Sequence, residues 1–456
     1  MRFDAIVVGA GQAGPPLVAR LTAAGMKVAL VERHLVGGTC VNTGCTPTKA
    51  MVASAYAAHL ARRAGDYGVR IAGDIAIDMA AVTARLQGIA ANSRHNNETW
   101  LAGMDDCTLI RAQARFEAPD RLRVGDETIT APRIFLNVGG RALVPAMPGI
   151  DEIDVLTNSS ILQLTEVPRH LVVIGGSYIG LEFAQAFRRF GAQVTVIEKG
   201  PRITAREDED VSTTLQQILA DDGVAFRLNA ECIHFARHSD GIAAGVTCTD
   251  GEPDVIGSHV LMAVGRRPNT DDLGLDAAGL AHDEHGYVTV DDKLETNVSG
   301  IWALGDCNGR GAFTHTSYND YEIVAANLLD GAERRVSDRL PCYGLFVDPP
   351  LGRVGMGEAE AKAKGHRITV GKRAMTRVGR AVEKGEAKGF MKIVVDADSD
   401  AILGGAIIGP GGDEAVHVIL DMMQAGQTAT ALAHTVHIHP TVAELIPTIA
   451  GELKPA

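Results

Sequence analysis

The sequence lacks the features of a membrane protein or a nucleic-acid-binding protein. It has 43 lysine and arginine residues against 56 aspartate and glutamate residues, so the formal net charge is −13. Nucleic acid and anionic lipid surfaces need basic patches on their partners, and this excess of acid argues against both. No apolar run reaches the roughly 18 residues that a membrane span requires. An apolar segment begins at Ala5, and we therefore expect no signal peptide and a cytoplasmic location.

Cysteine is also scarce, with seven residues in a chain of 456. Only Cys40 and Cys45 lie close together in the sequence. In a reducing compartment, a close pair is more often catalytic than structural. A chain of this length exceeds what one hydrophobic core supports, and it predicts about three domains.

Two segments each predict a strand, a glycine turn, a helix and a second strand. The first runs from Phe3 to Glu32 and the second from His170 to Glu198. Each is a βαβ unit of the dinucleotide-binding type, with an acidic residue about 20 positions after the glycines. The sequence therefore predicts an α/β fold with two Rossmann-like domains and two bound nucleotides. The alternation of strands and helices after about residue 340 predicts a further α+β domain.

In the first unit, Gly9, Gly11 and Gly14 complete the pattern G-x-G-x-x-G. The first glycine permits a tight turn, the second lets the backbone approach a pyrophosphate, and the third allows close helix packing. The following helix directs its N–H groups and positive dipole end at the phosphates. Glu32 is placed to accept hydrogen bonds from ribose hydroxyls.

In the second unit, Gly175, Ser177 and Gly180 occupy the corresponding positions. The Ser177 side chain crowds a pyrophosphate, although its hydroxyl can donate a hydrogen bond. Glu198 favours NADH over NADPH, because a carboxylate accepts from a free ribose hydroxyl and repels a 2′-phosphate. Lys199 and Arg202 follow Glu198, and their positive charges would attract a 2′-phosphate. NADPH therefore remains an alternative cofactor.

The cysteine pair lies in the segment Gly37–Lys49. A disulfide needs Cα atoms within about 7 Å, and a regular helix holds residues five apart too far from each other. Gly44 and Pro47 are expected to distort the first helical turns enough to close the bridge. A thiolate is favoured near a helix start and a lysine. We expect a redox-active pair; a structural disulfide or two unpaired thiols are the alternatives.

This segment resembles the active-site motif of the class I pyridine nucleotide-disulfide oxidoreductases, which include lipoamide dehydrogenase, glutathione reductase and mercuric reductase. The resemblance covers the whole chain. It implies FAD at the first glycine turn, NADH or NADPH at the second, and a homodimer. The segments expected from it are 1–150 and 271–337 for the FAD-binding domain, 151–270 for the NAD(P)H-binding domain and 338–456 for the dimerisation domain.

The resemblance also implies roles for individual residues. Cys45 would be the thiol nearest the flavin, and its thiolate would form a charge-transfer pair with the flavin. Cys40 would be the interchange thiol that attacks the substrate. Lys49 would lie beside the flavin, with Glu182 as its carboxylate partner. His439 would be the acid–base of the other subunit's site, oriented by Glu444. The other cofactor-binding residues expected are Gly38, Thr39, Gly139, Asp306, Tyr178 and Gly265. No metal site is expected.

Three activities remain open from the sequence. The first, which we predict, is NAD(P)H-dependent reduction of a small-molecule disulfide. The second is metal-ion reduction, since Val347–Gly355 and Ser177 look closest to mercuric reductases; those enzymes, however, carry a C-terminal cysteine pair and replace the residue corresponding to His439. The third is a subunit of a larger complex, as in lipoamide dehydrogenase. The arginine by which glutathione reductases bind a glutathione carboxylate aligns with Ala19, with Arg20 beside it. This argues against glutathione as the substrate without excluding it.

Overall fold

The computed structural model describes residues 1–247 and 253–456. The α-helices of the described residues are α1 Gly14–Ala23, α2 Gly38–Thr43, α3 Cys45–Arg62, α4 Met79–Ala102, α5 Tyr178–Phe190, α6 Glu209–Asp221, α7 Thr314–Leu329, α8 Glu358–Ala363, α9 Gly379–Glu383, α10 Gly412–Ala415, α11 His417–Gln424, α12 Ala429–Ala433 and α13 Ile446–Gly451.

The strands of the described residues are β1 Ala5–Val8, β2 Val28–Val31, β3 Cys107–Ile110, β4 Ala114–Ala118, β5 Arg121–Val124, β6 Glu127–Thr130, β7 Ile134–Leu136, β8 Gly140–Ala142, β9 Val155–Leu156, β10 His170–Ile174, β11 Gln193–Ile197, β12 Ala225–Arg227, β13 Glu231–His238, β14 Gly241–Thr247, β15 Asp254–Gly257, β16 His259–Met262, β17 Arg266–Pro268, β18 Ile301–Ala303, β19 Cys342–Leu345, β20 Leu351–Gly355, β21 Ile368–Ala374, β22 Phe390–Asp396, β23 Ile402–Ile408 and β24 Lys454–Pro455.

The first large sheet has the strand order β18-β7-β1-β2-β3, and all of its neighbours are parallel. Its strands β1 and β2 are apolar and fully buried, as expected for a sheet covered on both faces. The last strand, β18, comes from far along the chain and returns to the edge of this sheet. A small antiparallel meander of β4, β5 and β6 lies between β3 and β7 in the sequence.

The second large sheet repeats this plan. Its order is β12-β11-β10-β16-β9, again parallel throughout, and the meander β13-β14-β15 precedes β16. In both sheets the strand that leads into the glycine turn, β1 or β10, is central. A topological switch point at the carboxyl end of such a strand is where open α/β sheets bind ligands. The two predicted Rossmann-like units are thus confirmed.

The third large sheet is antiparallel, with the order β19-β20-β23-β22-β21-β24. Strands β22 and β23 are buried along their whole length and form the centre of a separate apolar core with α11 and α13. Short strands β8 and β17 pair with each other where the chain passes between the first two sheets. The α/β fold class with a C-terminal α+β domain is therefore confirmed, while the four segment boundaries stay predictions.

Candidate active site

One cavity of about 1720 Å³ connects the carboxyl ends of the two parallel sheets. It is lined by sixteen of the residues that the sequence indicates: Gly9, Gly11, Glu32, Gly38, Thr39, Cys40, Cys45, Lys49, Gly139, Asp306, Gly175, Ser177, Tyr178, Glu182, Glu198 and Gly265. Four others do not line it. Gly14 and Gly180 lie within the first turns of α1 and α5, and His439 and Glu444 lie in the C-terminal domain.

The first glycine turn is packed too closely for a side chain at two of its glycines. Gly9 has φ +101°, and a Cβ there would lie 2.3 Å from the carbonyl oxygen of Asn137. A Cβ on Gly14 would lie 2.3 Å from the carbonyl oxygen of Gly9, so this residue serves helix packing. Glu32 accepts hydrogen bonds from the backbone N–H groups of Ala10 and His34, at 2.8 and 2.7 Å. The carboxylate is therefore fixed at the end of β2.

The second glycine turn repeats these contacts. Gly175 has φ +109°, and a Cβ on Gly180 would lie 2.3 Å from the Gly175 carbonyl oxygen. Glu198 accepts from the N–H groups of Gly176 and Gly200, both at 2.7 Å. Ser177 is exposed to the cavity. Arg202 donates to two carbonyl oxygens of its own loop, those of Ala205 and Glu207.

The cysteine pair lies across a break between two helices. Cys40 belongs to α2 and Cys45 begins α3, and Gly44 between them leaves the helical conformation with φ −134° and ψ −122°. A Cβ on Gly44 would lie 2.8 Å from the carbonyl oxygen of Thr39. Pro47 has no N–H for the carbonyl of Thr43, and the Asn158 side chain donates to that carbonyl instead, at 2.9 Å. The break brings the two thiols together, as the sequence predicts.

The two thiols differ in acidity. The acidities described are those of the pair as free thiols. The hydrogen bond from Cys40 lowers the pKa of Cys45 to about 6, and the Thr314 hydroxyl and the Lys49 charge act in the same direction against desolvation. The same thiol–thiol hydrogen bond, together with burial, raises the pKa of Cys40. At neutral pH the thiolate therefore resides on Cys45.

A partly buried ion pair lies at the Cys45 end of the cavity. Lys49 lies one turn after Cys45, and its Nζ donates to the two carboxylate oxygens of Glu182 at 2.8 and 3.1 Å. Glu182 is only 5% exposed and also accepts from the N–H of Phe346 at 3.0 Å. The Lys49 ammonium lies 4.5 Å from the centre of the Phe346 ring. The pair thus fixes a positive charge beside the thiolate.

The far side of the cavity is formed by the returning segment around β18. Asp306 follows that strand, and its carboxylate accepts from Nε of Arg266 at 3.2 Å. Arg266 also donates to the carbonyl of Gly140. Gly139 has φ +63°, and no heavy atom lies within 4 Å of a Cβ built there. Backbone atoms near Gly139 and the Asp306 carboxylate therefore border the space between the first glycine turn and Cys45. This space suits an extended dinucleotide such as FAD.

Two residues of this site escaped the sequence-based prediction. Asn137 is not among the predicted site residues, yet its buried side chain accepts from the N–H of Gly14 at 3.1 Å and donates to the carbonyl of Leu304 at 3.1 Å. It joins the first glycine turn to the segment before Asp306. Thr314 begins α7, and its hydroxyl lies 3.2 Å from the Cys45 sulfur. Thr314 lies far from the cysteine motif in the sequence, so no local pattern indicates that it contacts Cys45.

His439 and Glu444 form a pair outside this cavity. Nδ1 of His439 lies 2.8 Å from the Glu444 carboxylate, and the imidazole side chain is 80% exposed. His437 contacts the carbonyl of Ala443 through its own Nδ1, at 2.7 Å. The single chain thus brings Cys40, Cys45, Lys49 and Glu182 together, but it does not bring His439 to them.

The acidity of Cys45 gives a first prediction. In the reduced protein, thiolate absorbance near 240 nm should be present above a midpoint near pH 6 and should be lost as the pH falls through it. Thr314→Val removes a hydrogen bond to the thiolate and should move the midpoint towards that of a free thiol, near pH 8.5. Thr314→Ser retains the hydroxyl and is the matched control. An unchanged midpoint in Thr314→Val would show that the hydroxyl has no part in lowering this pKa.

Two dinucleotide folds that share a cavity with a redox cysteine pair define a flavoprotein disulfide reductase. The chain matches the family described as pyridine nucleotide-disulphide oxidoreductase over residues 3–320, and the dimerisation domain of that family over residues 342–450. It belongs to the class I pyridine nucleotide-disulfide oxidoreductases, enzymes that use FAD and NAD(P)H.

Its relatives include proteins of different activity. It is 34% identical over 452 residues to the probable pyridine nucleotide-disulfide oxidoreductase RclA of Escherichia coli K12, covering 97% of each chain. A structure of that protein, a Cu(II) complex of the HOCl-induced flavoprotein disulfide reductase, superposes with a TM-score of 0.91 over 100% of both chains, at 32% identity. A dihydrolipoyl dehydrogenase of Thermus scotoductus is 31% identical, covering 97% of this chain and 95% of its own. A mercuric reductase of Streptomyces lividans is 30% identical, with 97% and 94% covered.

Proposed function

We propose that this protein reduces a small-molecule disulfide with electrons from NAD(P)H, and that it works as a homodimer. One observation carries the proposal: the Cys45 thiol, whose pKa is lowered to about 6, lies beside the Lys49–Glu182 pair in the cavity that both glycine turns line. A dinucleotide bound at each turn would therefore extend within the same cavity as the thiol pair. The cytoplasmic location stays a prediction from the sequence.

The cofactors would be held by the residues already described. The first glycine turn, Glu32 and Asp306 would hold FAD, and the second glycine turn and Glu198 would hold the nicotinamide nucleotide. FAD, when bound, accepts two electrons from the nicotinamide and delivers them to a disulfide. Lys49 supplies a fixed positive charge where negative charge accumulates, and Cys45 retains its thiolate because of that charge and the neighbouring hydroxyl.

The cysteines would then transfer the electron pair by thiol–disulfide exchange. Cys40 would pass its proton to His439 of the partner subunit and attack one sulfur of the substrate, and the first product thiol would leave with that proton. Cys45 next attacks the Cys40 sulfur, which releases the second thiol and re-forms the Cys40–Cys45 disulfide. One NAD(P)H and one proton are consumed for each disulfide reduced to two thiols. His439 of the partner subunit would hold the proton that passes between Cys40 and the leaving thiol.

A panel of disulfides tests this function. The purified flavoprotein would be assayed with oxidised glutathione, lipoamide and cystine, each with NADH and NADPH at equal concentrations. The relatives among dihydrolipoyl dehydrogenases make lipoamide a necessary member of the panel. Turnover with at least one disulfide is expected. A folded protein that contains FAD and is reduced by NAD(P)H, but reduces no disulfide, would contradict the proposal.

Nucleotide preference is the second prediction. We propose that NADH has the higher kcat/KM, because Glu198 is held at the end of β11 where a 2′-phosphate would approach it. A like-charge contact costs on the order of 1 kcal/mol, or close to tenfold. Glu198→Gln keeps the shape of the side chain and removes its charge. It should bring the kcat/KM values for NADH and NADPH closer together.

Lys199→Ala is the matched control for this prediction. Lys199 lines the same cavity and would attract the 2′-phosphate, so its removal should widen the preference for NADH. A preference for NADPH in the unaltered protein would show that Lys199 outweighs Glu198 at this position.

Metal-ion reduction is the second candidate, and one observation favours it. Cys342 lines the same large cavity as Cys40 and Cys45, so a third sulfur borders the space through which a soft metal ion would reach the pair. Relatives include a mercuric reductase and a reductase studied as its Cu(II) complex. We expect Hg(II) to inhibit by capturing Cys40 and Cys45. Sustained NAD(P)H oxidation that depends on Hg(II) or Cu(II) and exceeds the rate with every disulfide would favour the second candidate.

A further inference from the structure

A buried carboxylate outside the expected site makes contact with it. Glu207 lies in the loop between β11 and α6, and its side chain is completely buried. Its Oε1 accepts hydrogen bonds from the hydroxyls of Tyr178 at 2.8 Å and Tyr343 at 2.6 Å. A buried charge that receives two hydrogen bonds from side chains fixes the position of both donors.

The two tyrosines come from different domains. Tyr178 is the first residue of α5, directly after the second glycine turn, whereas Tyr343 lies in β19 of the C-terminal sheet. Their rings lie 5.4 Å apart, and Tyr343 stacks on Phe313 at 5.5 Å. Burial raises the pKa of Tyr343 to about 12 and also raises that of Tyr178. Both hydroxyls therefore keep their protons and donate to Glu207.

The position of Glu207 is set by the C-terminal domain. Nε of Arg353, in β20, lies 3.5 Å from its Oε2, and no residue in the described part of the chain donates a hydrogen bond to that oxygen. Arg353 itself donates to the carbonyl of Gly405 in β23 at 3.0 Å. The next residue, Asp208, accepts from the buried Lys392 of β22 at 2.9 Å. The loop that carries Glu207 is thus attached to a sheet outside the nucleotide-binding fold.

Tyr178 lies between the second glycine turn and the thiols. It is four residues before Glu182 on α5, so the two side chains share a face of that helix. Glu182 pairs with Lys49, which is four residues after Cys45 on α3. A nicotinamide that extends from the glycine turn towards Cys45 therefore passes the Tyr178 ring, which lines the cavity.

We propose that Glu207 is a positioning residue for the pyridine nucleotide: it fixes the Tyr178 ring beside the nicotinamide path and couples that ring to the C-terminal domain. This inference rests on the proposed function in one respect, that the ligand of the second glycine turn is NAD(P)H. Glu207 touches neither nucleotide nor thiol, and it acts through the hydroxyl of Tyr178.

The test compares Glu207→Gln, Tyr178→Phe and the double variant. Binding of NAD⁺ and NADP⁺ to the flavoprotein would be measured by calorimetry, and flavin reduction by NAD(P)H by stopped-flow absorbance. Each single variant should change the nucleotide Kd by about tenfold and in the same direction, because Tyr178→Phe removes the hydrogen bond to Glu207 and Glu207→Gln removes the charge that strengthens it. The double variant should change it no further. Reoxidation of the reduced protein by a disulfide should stay within about twofold of the unaltered rate.

Asp210→Asn is the matched control. Asp210 lies in the first turn of α6, directly after this loop, and pairs with Lys372 and Lys392 of the C-terminal domain, but it contacts neither tyrosine. Its replacement should lower the melting temperature without changing the nucleotide Kd. Additive effects of Glu207→Gln and Tyr178→Phe, equal losses in both half-reactions, or an unchanged Kd would each overturn the inference. Failure of the unaltered protein to bind either nucleotide would instead overturn the proposed function, and this inference with it.

Discussion

Cys40→Ser is expected to abolish disulfide reduction while leaving the cofactors bound. Serine cannot form the mixed disulfide with substrate, and exchange has no alternative route when the interchange sulfur is missing. The Cys45 thiolate would remain beside Lys49, and the serine hydroxyl can still donate a hydrogen bond to it. The variant should therefore show a broad long-wavelength charge-transfer band with oxidised flavin.

Cys45→Ser distinguishes the roles of the two thiols. It should also be inactive, but it should lack the long-wavelength band, because the remaining Cys40 thiol has a raised pKa and keeps its proton. Cys107→Ser, in β3 and outside the cavity, is the matched control and should retain activity and spectrum. A band in Cys45→Ser and none in Cys40→Ser would reverse the assignment of the two thiols.

His439→Gln is expected to lower disulfide turnover by about 10²–10⁴-fold, the range usual for the loss of a general acid–base. The leaving thiolate needs a proton, and Glu444 orients the His439 ring at 2.8 Å to supply it. Flavin reduction by NAD(P)H should proceed as before, since that step does not use the imidazole. His437→Gln, in the same loop, is the matched control and should have a small effect.

The exposure of His439 indicates how this residue would act. The neighbouring Val436 and Ile438 are 97% and 80% exposed, an arrangement that a second subunit would cover. All three lie within residues 342–450, which match the dimerisation domain of the family. The proposed site therefore combines Cys40 of one chain with His439 of the other.

Mixed dimers test this combination directly. A dimer of one Cys40→Ser chain and one His439→Gln chain contains one site with both replacements and one site with neither, if the residues come from different chains. Such a dimer, isolated with two affinity tags, should have about half the activity of the unaltered dimer because one of its two sites is intact. A mixed dimer as inactive as its parents would place both residues in the same chain.

Much of the fold was predictable because its signals are local. Gly9 and Gly175 need positive φ, and their turns lie between an apolar strand and a helix. Glu32 and Glu198 end the following strand, where each accepts N–H groups of the adjacent turn. Backbone requirements of this kind leave the same residue types at the same spacing wherever the motif occurs.

The cysteine segment was predictable for a similar reason. Gly44 and Pro47 interrupt the helix within a few residues of the thiols, so the break between α2 and α3 follows from the sequence itself. The lowered pKa of Cys45 does not follow from the sequence. It depends on the Cys40 hydrogen bond, on Thr314 from α7 and on Lys49, and only the folded chain sets their distances.

The sequence by itself determined the two dinucleotide folds, the thiol pair and the acid at the end of each second strand, because these depend on backbone geometry over about 30 residues. Only the tertiary structure decided how distant side chains meet. Asn137 joins the first glycine turn to Leu304, and Glu207 holds tyrosines of two domains. Three of these four contacts join residues more than a hundred positions apart. Their partners are fixed by how the three sheets pack together rather than by any spacing along the chain.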